Sequence, residues 1–407
     1  MTVPKLRFKE FINDWKITSL GSEIGISSAS RVLKEQWRAS GVPFFRTSDV
    51  ISIFKSEENQ KVFISYDLFE TLSNKSGRIK KGDLLITGGG SIGIPYLKKD
   101  NSPLYFKDAD LLWLKSSEKI NGEFLYNFFQ SQSFKVYLKS ISHTGTISHF
   151  TIEQAKTTPI NLPSKEEQTK IANFLTTVDK KISQLNEQHQ LMIQYKKGVM
   201  QKIFSQEIRF KDDNGEDFGE WKEKKLSDIA NFRRGSFPQP YGLAKWLDPN
   251  GMPFVQVFDV SDNLKLKNFT KIKISKLAQE KSVFVKKGTL IITIQGTIGR
   301  VAKMQYDAYV DRTLLIFQSY KIDVNIDFIK YALFLLFELE KEKADGGVIK
   351  TITKETLSSF TLQLPSIKEQ AQIANFLDVL DEKINNTFEQ LQAVKQWKKG
   401  LLQKMFV

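Results

Sequence analysis

The sequence predicts an α+β protein. Two similar globular domains are separated by two long antiparallel α-helices that pair as a coiled coil, and the whole is an internal repeat with pseudo-twofold character. Three observations carry this expectation. The chain repeats itself at an offset of 202 residues, two Pro-free stretches of about 40 residues have helical periodicity, and short apolar runs elsewhere lie between Gly and Pro.

The duplication is plainest near the end of each copy. Residues 162–175 read LPSKEEQTKIANFL and residues 364–377 read LPSIKEQAQIANFL, identical at ten of fourteen positions. The register continues through Asp179 and Asp381, Ile182 and Ile384, and Tyr195-Lys-Lys-Gly198 against Trp397-Lys-Lys-Gly400. It reaches back to Leu6-Arg7-Phe8-Lys9 and Ile208-Arg209-Phe210-Lys211, again at 202. Between these anchors the offset drifts, to 206 at Trp15-Lys16 and Trp221-Lys222 and 210 at Pro43-Phe44 and Pro253-Phe254. A unit of roughly 200 residues written twice sets the whole architecture. The two copies agree in their middles only at scattered Gly, Pro, Trp and apolar positions, as expected of one fold carrying two unlike surfaces.

The helices follow from periodicity. In 165–204 the apolar residues Ile171, Phe174, Val178, Ile182, Leu185, Met192, Val199 and Ile203 recur at spacings of three and four or their sums. That is one stripe on an α-helix. The second copy repeats it with Ile373, Phe376, Leu380, Ile384, Leu391, Val394, Leu401 and Met405. Pro163-Ser164 and Pro365-Ser366 precede the helices, with Glu167 and Glu369 three residues after the serine, which reads as a capping box. Lysines close each helix, as the macrodipole favours. Forty helical residues run about 60 Å, too long a stripe for one small domain to bury. Pairing is therefore expected through Ile171, Val178, Ile182, Leu185 and Met192 on one helix and Ile373, Leu380, Ile384, Leu391 and Val394 on the other.

The remaining segments mix strands and helices. Val62-Phe63-Ile64, Leu84 to Ile86, Leu290 to Ile294 and Leu314 to Phe317 read as strands, and Glu123 to Leu138 and Ile326 to Lys343 as helices with an apolar face. The boundaries are drawn at 1–163 and 207–365 for the globular domains, and 164–206 and 366–407 for the helical regions.

Composition narrows the chemistry. The 407 residues contain no Cys, which excludes disulfides, zinc ribbons, iron–sulfur clusters and thiol nucleophiles. No N-terminal apolar region of the secretory kind is visible, and the longest apolar stretch, Tyr331 to Leu339 with Glu338 within it, is far short of a bilayer span. No membrane partner is expected, and a cytoplasmic location is. Lys and Arg number 60 against 46 Asp and Glu, for a net charge of +14. Only +4 of this lies in the two helical regions, so the excess is spread over the globular parts. Such a surplus suits a polyanion without requiring one.

Motifs for catalysis are missing. Gly88-Gly89-Gly90-Ser91-Ile92-Gly93 fits a dinucleotide fingerprint, but the second copy, Ile294-Gln295-Gly296-Thr297-Ile298-Gly299, lacks the first glycine. What persists is a tight turn with a polar tip. The three histidines, His143, His149 and His189, do not recur in the other copy and have no metal-ligand spacing. The carboxylate pairs Asp49/Asp259, Glu153/Glu355 and Asp179/Asp381 lack a nucleophile beside them, and the last pair is expected to be exposed on the helices. No metal or catalytic site is assigned. There is no P-loop, no HExxH, and no Asn/Asp-Pro-Pro-aromatic tetrapeptide for holding a flipped base.

Basic and small polar residues gather instead in the variable parts. Candidates for holding phosphates or reading base edges are Arg31, Lys34, Arg38, Arg46, Thr47, Ser48, Ser91, His143, Thr144 and Thr146 in the first copy. In the second they are Arg233, Arg234, Ser236, Gln256, Gln295, Thr297, Arg300, Lys350 and Thr351.

Leu-Pro-Ser, Glu-Gln, Ile-Ala-x-Phe-Leu, Asp-x-Lys-Ile and the Lys-Lys-Gly ending, all present twice, resemble the specificity subunit of Type I restriction–modification enzymes, and the resemblance covers the whole chain. It implies a non-catalytic DNA-binding subunit in which each globular domain is a target-recognition domain reading one half of a bipartite double-stranded DNA site. The helix pair would set the gap and dock two modification subunits that methylate adenine at N6. Restriction subunits would translocate and cleave. S-adenosylmethionine, ATP and Mg would sit on those partners, with no cofactor in this chain. The alternative is a structural scaffold presenting two protein-binding domains on a coiled-coil spacer.

Overall fold

The computed structural model describes residues 3–107, 110–141, 149–343 and 353–407. The chain divides into two compact units, residues 1–188 with 387–407, and residues 189–386. The long helices are Lys165–Phe204 and Ile367–Met405. Each therefore begins in one unit and ends in the other.

The first unit is built on a four-stranded antiparallel sheet in the order Ile26–Ser27, Leu111–Leu114, Leu84–Thr87, Pro95–Leu97. A smaller sheet places Val42–Phe45 between Phe63–Ile64 and Tyr105–Phe106, parallel to the latter. A two-stranded ribbon joins Lys16–Ser19 to Pro159–Leu162, just ahead of the long helix. The second unit repeats this plan. Its main sheet runs Ala230–Arg234, Leu314–Tyr320, Leu290–Thr293, Val301–Lys303. Leu247–Val255 pairs in parallel with Ala308–Val310, and Lys222–Lys225 forms the ribbon with Thr361–Leu364. The predicted strands lie where periodicity put them. The helix expected over Glu123–Leu138 is two, Gly122–Gln130 and Gln132–Ser140, because Ser131 turns extended and caps the second. Its counterpart Ile326–Lys343 is continuous.

The Glu-Gln of each LPS motif has a different task from the one its spacing suggests. Ser164 and Ser366 do accept from the amides of Glu167 and Glu369, each at 3.3 Å. The glutamate side chains do not return to the cap. Glu167 receives two bonds of 2.7 Å from the Arg7 guanidinium. Glu369 receives Arg209 at 3.1 and 2.8 Å and the indole of Trp221 at 3.2 Å. Both glutamates are buried, and bonding to them raises the pKa of Arg7 and Arg209. The adjacent glutamines staple each helix start to its domain. Gln168 accepts from the Asn121 amide and donates to the Pro163 carbonyl, as Gln370 does with Asn325 and Pro365.

Each core is closed by a helix end from the other repeat. In the first unit, Leu401, Leu402, Met405 and Phe406 join Trp15, Phe124, Phe128, Ile171, Leu175 and Val178 in one buried cluster. Phe406 lies 5.2 Å from Phe124, which lies 6.2 Å from Trp15. In the second unit, Met200 and Ile203 join Trp221, Phe328, Ile373, Leu377 and Leu380. Phe204 lies 5.4 Å from Phe328 and 6.2 Å from Trp221. Burying one such side chain contributes about 1.5–3 kcal/mol. Within each unit the helix segments pack both on each other and on the globular core. Asp179 and Asp381, expected to be exposed, are partly buried ion-pair partners, of Lys398 at 2.7 Å and Lys196 at 2.5 Å respectively. The partner lies on the other helix and falls beyond any local pattern. Burial lowers the Lys196 pKa, and Asp381 opposes that shift.

Candidate nucleic-acid interface

The turn after the central strand has the same construction in both units. Thr87 donates its hydroxyl to the Ser91 carbonyl and Thr293 to that of Thr297. The amides of Gly93 and Gly299 return to the carbonyls of Thr87 and Thr293, each at 2.9 Å or less. Gly93 and Gly299 have φ of 80° and 81°, and a Cβ would fall 2.7 Å from Leu138 or 2.9 Å from Phe337. Only glycine fits. The tip that this holds out is polar and exposed, with Ser91 in one unit and Gln295 and Thr297 in the other.

The nominated cations divide into free and engaged. Arg31 and Lys34 are exposed and make no ion pair among the described residues. Arg38 is exposed, but its guanidinium donates to the carbonyls of Glu35 and Trp37. Arg46 is half-buried and forked onto Asp49 at 2.8 and 3.1 Å. That bonding raises its pKa, and it also donates to the Gln60 carbonyl. Thr47 turns its hydroxyl inward, and exposed Ser48 accepts from Asn59. Arg233 and Arg234 are exposed at the end of their strand, where Gly235 passes so close to Val310 that a Cβ would lie 2.2 Å from its carbonyl oxygen. Ser236 donates to the Lys281 carbonyl. Gln256 is half-buried at a short helical turn, and Arg300 donates to the Val260 carbonyl at 2.9 Å. His143, Thr144, Thr146, Lys350 and Thr351 lie outside the described residues.

The paired carboxylates Asp49 and Asp259 are caps. Asp49 accepts from the Arg46 amide and Asp259 from the amides of Gln256 and Lys271. Burial raises the Asp259 pKa against those bonds. Of the helix-pairing candidates, Ile171, Val178, Leu185, Ile373, Leu380 and Leu391 are buried, while Ile182, Met192, Ile384 and Val394 are half-buried. Among the described residues no cluster of His, Asp and Glu could hold a metal, and no helix is long and apolar enough to cross a membrane.

One feature was not legible as a candidate: the loop between Val260 and Ile272. Its signal is Lys265 and Lys267 alternating with buried Leu264 and Leu266, then Lys271 and, on the strand that follows, Lys273, all four lysines exposed. The arrangement as a whole offers exposed cations and polar tips on rigid frames. Such groups can contact phosphates and base edges.

A family model described as the Type I restriction modification DNA specificity domain matches residues 12–194 and again 219–396. A putative type I restriction enzyme MjaX specificity subunit of Methanocaldococcus jannaschii is 24% identical over 98% of this chain and 94% of its own length. The EcoBI specificity subunit of Escherichia coli is 24% identical over 97% of this chain and 86% of its own. The crystal structure of a Type I restriction–modification S subunit from M. genitalium shares the fold, with a TM-score of 0.60 at 17% identity, covering 100% of this chain and 99% of that one.

Proposed function

Because this chain belongs to the Type I restriction-modification DNA specificity family, we propose that each of its two globular domains reads one half of a bipartite DNA site. The observation that carries this reading is the contrast within the repeat. The frame is kept twice over, in Arg7/Glu167 and Arg209/Glu369, in the Thr–Gly turns and in the aromatic cores. The surface on that frame differs, with exposed Arg31 and Lys34 in one domain and exposed Arg233 and Arg234 in the other, and with Gly89 before the Ser91 tip where the second domain has exposed Gln295 before the Thr297 tip. One fold with two surfaces suits two unlike half-sites. Cations would position the duplex on its phosphates, and polar tips would read bases.

The long helices serve as spacer and as the dock for two modification subunits. The chain itself contributes reading and no catalysis, and the adenine methylation and any cleavage belong to those subunits and their restriction partners. S-adenosylmethionine, ATP and Mg are held there. Their chemistry places the work in the cytoplasm, where the DNA is.

Co-expression with the modification subunit, followed by mapping of methylated adenines, should give one motif of two parts with a fixed gap. A single continuous motif would sink the reading. Inserting seven residues after Gln188 and seven after Asn386 lengthens each helix by about 10 Å while keeping its face. The gap should then grow by about three base pairs, given about 34 Å per ten. An unchanged gap would remove the spacer role from the helices.

A further inference from the structure

Phe269 is 85% exposed, yet the loop that carries it is fixed. The Lys267 amide donates to the Asp259 carbonyl at 2.8 Å, and the Ser261 amide to that of Lys265 at 2.9 Å. Gln305 accepts from the Leu266 amide at 2.7 Å, and Tyr306 donates its hydroxyl to the Lys267 carbonyl at 3.0 Å. The Lys271 amide reaches the buried Asp259 carboxylate at 3.1 Å. Leu264 and Leu266 anchor the loop from beneath, 4% and 5% exposed. This alternation turns Lys265 and Lys267 outward, and Lys271 and Lys273, also exposed, follow Phe269 in the chain. None of the four lysines makes an ion pair among the described residues, though Lys267 and Lys271 also offset the Asp259 charge and Lys271 lies 5.1 Å over the Phe258 ring.

The first domain is built differently at the same place. Asp259 and Ile274 correspond to Asp49 and Ile64, both at an offset of 210, so Lys267-Asn268-Phe269 stands where the first domain has Glu57-Glu58-Asn59. Asn59 turns inward to Asp49 at 2.8 Å. Lys265 and Lys271 are matched by Lys55 and Lys61, but Lys267, Phe269 and Lys273 give way to Glu57, Asn59 and Phe63, so the exposed ring does not serve the frame, which forms without it.

We propose that Phe269 is an apolar base contact to the half-site read by the second domain, delivered to the groove by phosphates held on Lys265, Lys267, Lys271 and Lys273. The proposal rests on the DNA-reading function above. Lysines attract any duplex regardless of sequence. A phenyl ring has no affinity for phosphate, so a ring held among phosphate-seeking cations meets bases. Two base surfaces accept it: a thymine methyl in the major groove, or the faces of a base step opened by an inserted wedge.

The test uses Phe269→Ala in complex with the modification subunit. So exposed a side chain leaves the thermal unfolding of the chain unchanged when removed. Affinity is measured for a duplex carrying the methylation motif and for a scrambled duplex. The variant should bind the motif roughly tenfold more weakly and the scrambled duplex as the parent does. Deoxyuridine in place of thymine weakening the parent but not the variant identifies the methyl contact. Brightening of 2-aminopurine placed in the half-site, seen with the parent only, identifies the wedge. Equal affinity of parent and variant for the motif, or an equal loss on both duplexes, overturns the proposal. A parent complex that fails to distinguish motif from scrambled duplex overturns the reading function with it.

Discussion

Replacing Glu369 with alanine is expected to lower the stability of the second unit by about 1–3 kcal/mol, the range for leaving a buried donor unsatisfied. Glu369 has no exposed surface and receives three bonds, two from Arg209 and one from the Trp221 indole. Removing the carboxylate leaves the Arg209 guanidinium only its 2.8 Å bond to the Gly219 carbonyl and the buried Trp221 N–H with nothing to donate to. It also unties the arm before the ribbon from the start of the long helix, since the two residues are 160 positions apart. The first unit supplies an internal control. Glu167 receives Arg7 twice, but the Trp15 indole N–H is buried without a hydrogen-bond partner among the described residues. Glu167→Ala should therefore cost less than Glu369→Ala. Hydrogen exchange read by peptide separates the two, because each variant should raise exchange in its own unit alone. Glu369→Gln, which keeps an acceptor for Trp221, should fall between. If alanine at 369 costs no more than alanine at 167, the indole bond contributes nothing.

Exchanging residues 1–163 for the matching domain of another specificity subunit is expected to rewrite one half of the methylated motif and leave the other half and the gap as they were. The expectation follows from the separation of frame and surface. The candidate reading residues Arg31, Lys34 and Ser91 leave with the exchanged segment, whereas Arg233, Arg234, Gln295 and Thr297 stay. The incoming domain must still receive Leu402, Met405 and Phe406 from the second long helix, so it needs an aromatic pair where Trp15 and Phe124 stand. Mapping methylated adenines decides the matter. Change in both halves, or in neither, would show that the domains do not read independently. Failure to assemble can be told apart from failure to read by restoring Trp15 and Phe124 in the exchanged domain.

Much of the fold was legible because the duplication preserves what the frame requires. Trp15/Trp221, the Glu-Gln pairs and the Gly turns recur in both copies, and each has a buried role. Helix and strand positions came from periodicity and were placed well. Long-range pairing was not legible. Lys16–Ser19 meets Pro159–Leu162 across some 140 residues, and no local signal joins them. The Ser-x-x-Glu spacing looks the same whether glutamate returns to its cap or reaches an arginine 160 residues away, so Glu167 was misread. Candidate interface residues were harder still. Residue type nominated Arg46 and Arg300 because a guanidinium binds phosphate, but the same group caps carboxylates and carbonyls, and here it does so. Phe269 went unnominated because a lone phenylalanine in a sequence reads as core, and only its exposure separates it.

The exchange of helix ends between repeats has a consequence for synthesis. The first unit needs Leu401 to Phe406, which leave the ribosome only after the 198 residues from His189 to Asn386. At about 5–20 residues per second, the earliest-made domain waits roughly 10–40 s with its aromatic core open. The second unit waits for far less, because the end of the first helix is already made. A nonsense or frameshift lesion near codon 400 would thus strike the domain farthest from it in the message, and leave the nearer one closed.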